Sequence, residues 1–132
     1  MTNYRWGTNG GNMNKELSLL SEKAAQGQLD GYNNRDIEEF LKWYSDDVKI
    51  YDLDTGELRY DSKEAMRPRY AKLFENEYLD CTLVNRMVMN RTVIDQESVQ
   101  VDGTEKRSEV IAIYDVGENG LIEAVRFTRG KA

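Results

Sequence analysis

The hydrophobic period of the chain changes near its middle, and that change limits the folds open to it. Up to about residue 75, apolar side chains recur at three- and four-residue spacing, broken by one alternating segment; from Leu79 onward they alternate. Residues 15–33 read as an amphipathic helix, with Leu17, Leu20, Ala24, Gln28 and Gly31 on one stripe and Ala25, Leu29 and Tyr32 on its shoulder. Asn33-Asn34 ends it. Asp36 and Glu39 stand at capping-box spacing and open a second helix over 36–45, whose apolar face is Ile37, Phe40, Leu41 and Tyr44. Val48, Ile50 and Asp52 then share one face of a strand, and a turn at Asp54-Thr55-Gly56 returns the chain through 57–60. Asp61 and Glu64 open a third helix that carries Met66, Tyr70, Leu73 and Phe74 inward, with Pro68 expected to kink or split it. Four strands follow, over 79–90, 92–101, 109–116 and 121–129, with turns at Asp102-Gly103 and Gly117–Gly120. Helices first and antiparallel strands after them predict an α+β domain, helices packed on one face of a curved sheet.

At 132 residues the chain is sized for one domain. Residues 1–13, rich in Gly and Asn and without periodicity, read as a mobile tail before a domain over 14–132. The chain has no histidine and one cysteine, Cys81. Ser-His-Asp and Cys-His nucleophile systems, histidine metal sites and cysteine clusters are thereby excluded. Cys81 reads as an inert buried thiol. With no Gly-rich phosphate loop either, no cofactor and no metal is expected. A net charge of −6 disfavours nucleic acid, because affinity for phosphate backbones comes from Lys and Arg; the short Arg67-Pro68-Arg69 run does not reverse that. No apolar run reaches the ~18 residues of a membrane span, so the expected compartment is the cytoplasm. In the strand over 109–116, Val110, Ala112 and Tyr114 hold one face and Ile111 and Ile113 the other. Apolar side chains on both faces predict that a second copy of the chain covers the outer one.

The order helix, helix, hairpin, helix and four long strands resembles the nuclear-transport-factor-2-like, or SnoaL-like, superfamily over about residues 14–130. The stretches that carry the resemblance are Tyr32-Asn33-Asn34-Arg35-Asp36, Tyr44-Ser45-Asp46-Asp47-Val48, the strand ending at Asp52, Val93-Ile94-Asp95-Gln96-Glu97 and Gly120-Leu121-Ile122. The resemblance implies a cystatin-like cone: three N-terminal helices close on the concave face of a bent, mostly antiparallel sheet, leave an apolar pocket for a small apolar or carbonyl-bearing ligand, and leave the convex face to a homodimer.

Set beside ketosteroid isomerases of this look, Asp52 falls on the general base, and Tyr70 and Tyr44 on pocket aromatics. Gln28 stands where the oxyanion-hole tyrosine is expected, and Ala112 where a protonated aspartate is expected. The same alignment aims Ile94, Gln96 and Ser98 into the pocket and Asp95 and Glu97 at the convex face. The reading that follows is an isomerase or cyclase with Asp52 as a base raised in pKa by desolvation, and Gln28, Tyr44, Tyr70 and Gln96 around the substrate. Two alternatives stand beside it. One is a non-catalytic ligand-binding or interaction module, favoured by the Gln28/Ala112 pair. The other is an epoxide hydrolase with Arg86 or Arg126 facing inward beside Asp52. For Asp52 itself, the residues alone equally allow a carboxylate satisfied by turn donors. Gln28 equally allows a bond to a ligand carbonyl or to a neighbouring side chain.

Overall fold

The computed structural model describes residues 8–101 and 103–130. The elements run α1 (Thr8–Asn33), α2 (Ile37–Leu41), β1 (Tyr44–Asp52), β2 (Leu58–Tyr60), α3 (Lys63–Leu73), β3 (Asp80–Met89), β4 (Thr92–Gln100), β5 (Ser108–Val116) and β6 (Ile122–Arg129). The strands form one six-stranded sheet in the order β2-β1-β6-β5-β4-β3. Only the β1–β6 pair is parallel. The α+β architecture expected from the period change is therefore present, helices on one face of a mostly antiparallel sheet. No helix among the described residues is long and apolar enough to cross a membrane.

Three local expectations are corrected. α1 begins at Thr8, inside the stretch read as a tail; residues 1–7, like Asp102 of the expected Asp102-Gly103 turn, lie outside the described residues. α2 stops at Leu41, and Tyr44 opens β1. Its helical spacing is overridden because the chain there pairs with β6: the Ile122 amide donates to the Trp43 carbonyl at 2.8 Å. α3 is capped by Ser62 rather than Asp61 and runs unbroken through Pro68. The carbonyl that loses its partner there belongs to Glu64, which is exposed and open to water.

Phe40 is the hub of the core beneath the helices. Its ring lies 4.8 Å from Tyr70, 5.1 Å from Tyr44 and 5.3 Å from Phe74. Gly31 makes the α1–α2 approach possible, since a Cβ there would sit 2.5 Å from the Phe40 backbone nitrogen. β4 and β5 complete the floor. Asp95 pairs with Ala112 and Glu97 with Val110, and both acids point inward with Val93, Val99 and Tyr114. Gln96 pairs with Ile111 on the outer face.

Candidate functional site

Between the helices and the concave sheet lies a cavity of about 350 Å³. α1 contributes Gln28 and Tyr32 to its wall, β1 Tyr44 and Asp52, α3 Arg69 and Tyr70, and the sheet Cys81, Glu97, Tyr114 and Arg129. The volume and the mix of aromatic walls with a few polar groups fit a small-molecule site.

The deepest polar group is a closed network. The Tyr44 hydroxyl donates to Gln28 Oε1 at 2.9 Å, and Gln28 Nε2 donates to Tyr114 Oη and to the Ala25 carbonyl, each at 3.0 Å. Gln28 is thus fully engaged by protein partners, and neither Asp52 nor Gln96 is among them. Burial raises the pKa of Tyr44 and Tyr114 well above the ordinary phenol value, so both stay neutral, Tyr44 as a donor and Tyr114 as an acceptor. Tyr32 and Tyr70 differ from that pair. Among the described residues their hydroxyls have no protein hydrogen-bond partner, and neither oxygen is sealed from the cavity. Burial raises both pKa values, that of Tyr70 to about 12.

The two cavity carboxyls are held in opposite ways. Asp52 sits at the rim with its side chain 24% exposed. Its Oδ1 accepts from the Asp54 and Thr55 amides at 2.9 and 3.0 Å, and its Oδ2 from Arg59 at 3.1 Å. Those donors, the Thr55 amide above all, hold its pKa below the usual carboxylate value. The expectation of a base raised by desolvation is not met: this carboxylate caps the β1–β2 turn. Glu97 is only 5% exposed. Burial first, and then the neighbouring Asp95 carboxylate, push its pKa up from 4.5 to about 7; the Cys81 thiol and Arg86 oppose the rise. Cys81 is itself pushed up by burial and by Glu97, which fits an inert thiol that donates a hydrogen bond.

Of the remaining candidates, Ala112 is fully buried in the sheet floor and is not part of the cavity wall. Gln96 is on the convex side, so the register reverses the expected inward and outward sets on β4. Arg86 does face inward, but it forks onto Asp95 at 2.7 and 2.9 Å under Gln26 of α1, away from the cavity wall and from Asp52. Arg126 lies on the outer face, 2.9 Å from Asp115. The aspartate–arginine arrangement of the epoxide-hydrolase alternative is therefore not assembled. Tyr70 lines the cavity as expected, whereas Glu97 and Tyr32 were not among the expected site residues. The available signal was the frame Val93-x-Asp95-x-Glu97-x-Val99, two acids alternating in step with buried valines.

A helix-roofed cavity over a bent sheet defines the cystatin-like, ketosteroid-isomerase-like class of cone folds. The profile of the SnoaL-like domain matches residues 25–125, and the chain belongs to that family. No curated protein matches the sequence. Among solved structures, a proposed ketosteroid isomerase from Kribbella flavida superposes with a TM-score of 0.71 at 18% identity, over 87% of this chain and 81% of that one. A cystatin-fold protein from Novosphingobium aromaticivorans gives 0.71 at 20% identity, over 83% and 97%. The epoxide hydrolase/cyclase-like enzyme SalBIII, which acts in pyran ring formation in the polyether salinomycin, gives 0.70 at 13% identity, over 83% and 90%. At these identities the likeness establishes the fold.

Proposed function

We propose that the protein binds a small molecule with an apolar body inside the cone and acts on it as a cofactor-independent isomerase or cyclase. Glu97 moves the proton, and the Tyr32 and Tyr70 hydroxyls hold the ligand oxygen. The observation that carries this reading is Glu97: a carboxyl sealed from bulk water on the cavity wall, with its pKa brought to about 7. A group poised there works as acid and as base at neutral pH. In the reaction, ionised Glu97 takes a proton from the carbon next to a carbonyl. The electron pair moves onto the carbonyl oxygen, which accepts hydrogen bonds from the two phenols. In a β,γ-unsaturated carbonyl compound the oxygen's electron pair then re-forms the C=O bond, the carbon–carbon double bond shifts into conjugation, and protonated Glu97 delivers its proton to the γ-carbon, which regenerates the carboxylate. Asp52, with its oxygens committed to the turn and Arg59, keeps a structural role at the rim.

The test needs no prior substrate. A panel of enolisable aromatic and alicyclic ketones is incubated with the protein in D₂O, and deuterium uptake beside the carbonyl is followed by NMR. The expected result is uptake that falls by at least about 10²-fold in Glu97→Gln and stays within about threefold in Asp52→Asn. Uptake indifferent to Glu97 overturns the assignment. Ligand binding without any exchange favours the non-catalytic module, the reading supported by Gln28 and Ala112 standing where stronger oxyanion donors are expected.

We further propose that a second copy covers the convex face. Met87, Ile94 and Ile113 stand in one cross-strand row that runs on to Arg126, and Ile111 lies beside it at 38% exposure.

A further inference from the structure

We infer that the ligand is an anion: an apolar body ending in a carboxylate, with the carboxylate held at the cavity mouth by Arg69 and Arg129. This rests on the small-molecule reading above and adds the charge of the ligand.

Three arginines line the cavity: Arg59, Arg69 and Arg129. Two carboxyls line it with them, Asp52 and Glu97, and Asp52 is already paired with Arg59. The wall therefore carries excess positive charge in a chain whose net charge is −6. The partners of the arginines sharpen the point. Every other arginine among the described residues donates to a protein acceptor. Arg69 and Arg129 alone have none there, and both are at the mouth of the same cavity. Arg129 pairs in register with Val110, an inward-facing position, so the strand itself aims it to the concave side.

The order of groups from mouth to floor sets the orientation. Along the cavity wall, Arg69 and Arg129 are exposed, Tyr32 and Tyr70 are half-buried, and Glu97 is buried. The phenols thus stand between the cations and the buried acid. A carboxylate seated on the arginines sends its apolar body past the tyrosines toward Glu97. An anion entering head first would instead meet the buried Glu97 carboxyl on the cavity wall, which opposes it once Glu97 is ionised. Guanidinium suits the mouth role, because its planar donors match a carboxylate fork.

The experiment compares 2-naphthoate with 2-naphthalenemethanol, which has the same ring system and no charge, by isothermal titration calorimetry at low salt. In the wild type, naphthoate is expected to bind at least about 10-fold more tightly. In the double variant Arg69→Gln/Arg129→Gln that advantage is expected to vanish, with the alcohol's affinity unchanged. Rising salt should erode naphthoate binding alone. Equal affinities in the wild type, or an advantage that survives in the double variant, overturn the inference and leave the cavity reading standing. An alcohol that does not bind at all removes the apolar-ligand reading itself. Circular dichroism of the double variant checks that it is folded, and Glu64→Gln, a surface change on the same helix away from the mouth, is expected to bind both probes as the wild type does.

Discussion

Glu97 and Asp52 differ by one methylene, and their surroundings drive them in opposite directions. Glu97 loses water and gains the Asp95 charge, whereas Asp52 gains two backbone donors and Arg59. The consequence for stability has a definite sign. Glu97 has a folded pKa of about 7, against 4.5 when solvated, so between those values the folded chain binds a proton that the unfolded chain has released. Its contribution is therefore neutral below pH 4.5, worsens as pH rises toward 7 and is flat above. Glu97→Gln should relieve about 3 kcal/mol of that loss at pH 8 and little at pH 4.5, read as a crossing of denaturation midpoints along a pH series. For Asp52 the sign is opposite: its depressed pKa means that stability is lost as acid protonates it. Asp52→Asn should leave the fold intact and speed hydrogen exchange at the Asp54 and Thr55 amides, the two donors it holds. Both of these surroundings were partly legible. The turn at Asp54-Thr55-Gly56 implied local donors for Asp52. The burial of Glu97 needed the register of β4, because an acid in an alternating strand has two faces to choose from.

At the scale of elements, close contacts decide more than propensity. Alanine at Gly31 favours a helix by about 1 kcal/mol, yet its Cβ would meet Phe40 backbone that cannot swing away. Gly31→Ala is expected to destabilise by about 2 kcal/mol in a urea melt, with a net gain marking the α1–α2 contact as soft. The Arg86–Asp95 fork joins β3 to β4, with Asp95 fully buried. Arg86→Met strands that carboxylate and should cost about 3–5 kcal/mol, whereas the double change Arg86→Met/Asp95→Leu should cost clearly less. Equal losses in the two variants would show that packing, not charge, is what the fork supplies. Element order, the hairpin and all four long strands could be read from periodicity and turn residues. The end of α2 could not, since Phe40, Leu41 and Tyr44 keep helical spacing while the backbone at Trp43 and Tyr44 is taken up by β6. The inward face of Asp95 and Glu97 was signalled only by their alternation in step with Val93 and Val99, which two acidic positions obscure in a hydrophobicity pattern.

For the whole molecule, the cone leaves an apolar row on its convex sheet face and a cavity polar at its depth and cationic at its mouth. If a second copy covers the convex face, light scattering should return twice the chain mass, and Ile113→Asp should return the chain mass with the cavity intact; a monomeric wild type would reject the pairing. The helices-then-strands pattern was enough to specify an α+β domain with helices on one face of the sheet, and the resemblance to the SnoaL-like family supplied the cone. The chemistry inside was less visible, since it depends on which side chains meet across α1, β4 and β5. The account as a whole turns on the buried glutamate. Its side-chain carboxyl carbon can be followed by ¹³C NMR against pH in uniformly labelled protein, assigned by its loss in Glu97→Gln. A midpoint near 7 is the predicted result, and a midpoint near 4.5 would contradict the acid–base site and the proposal built on it.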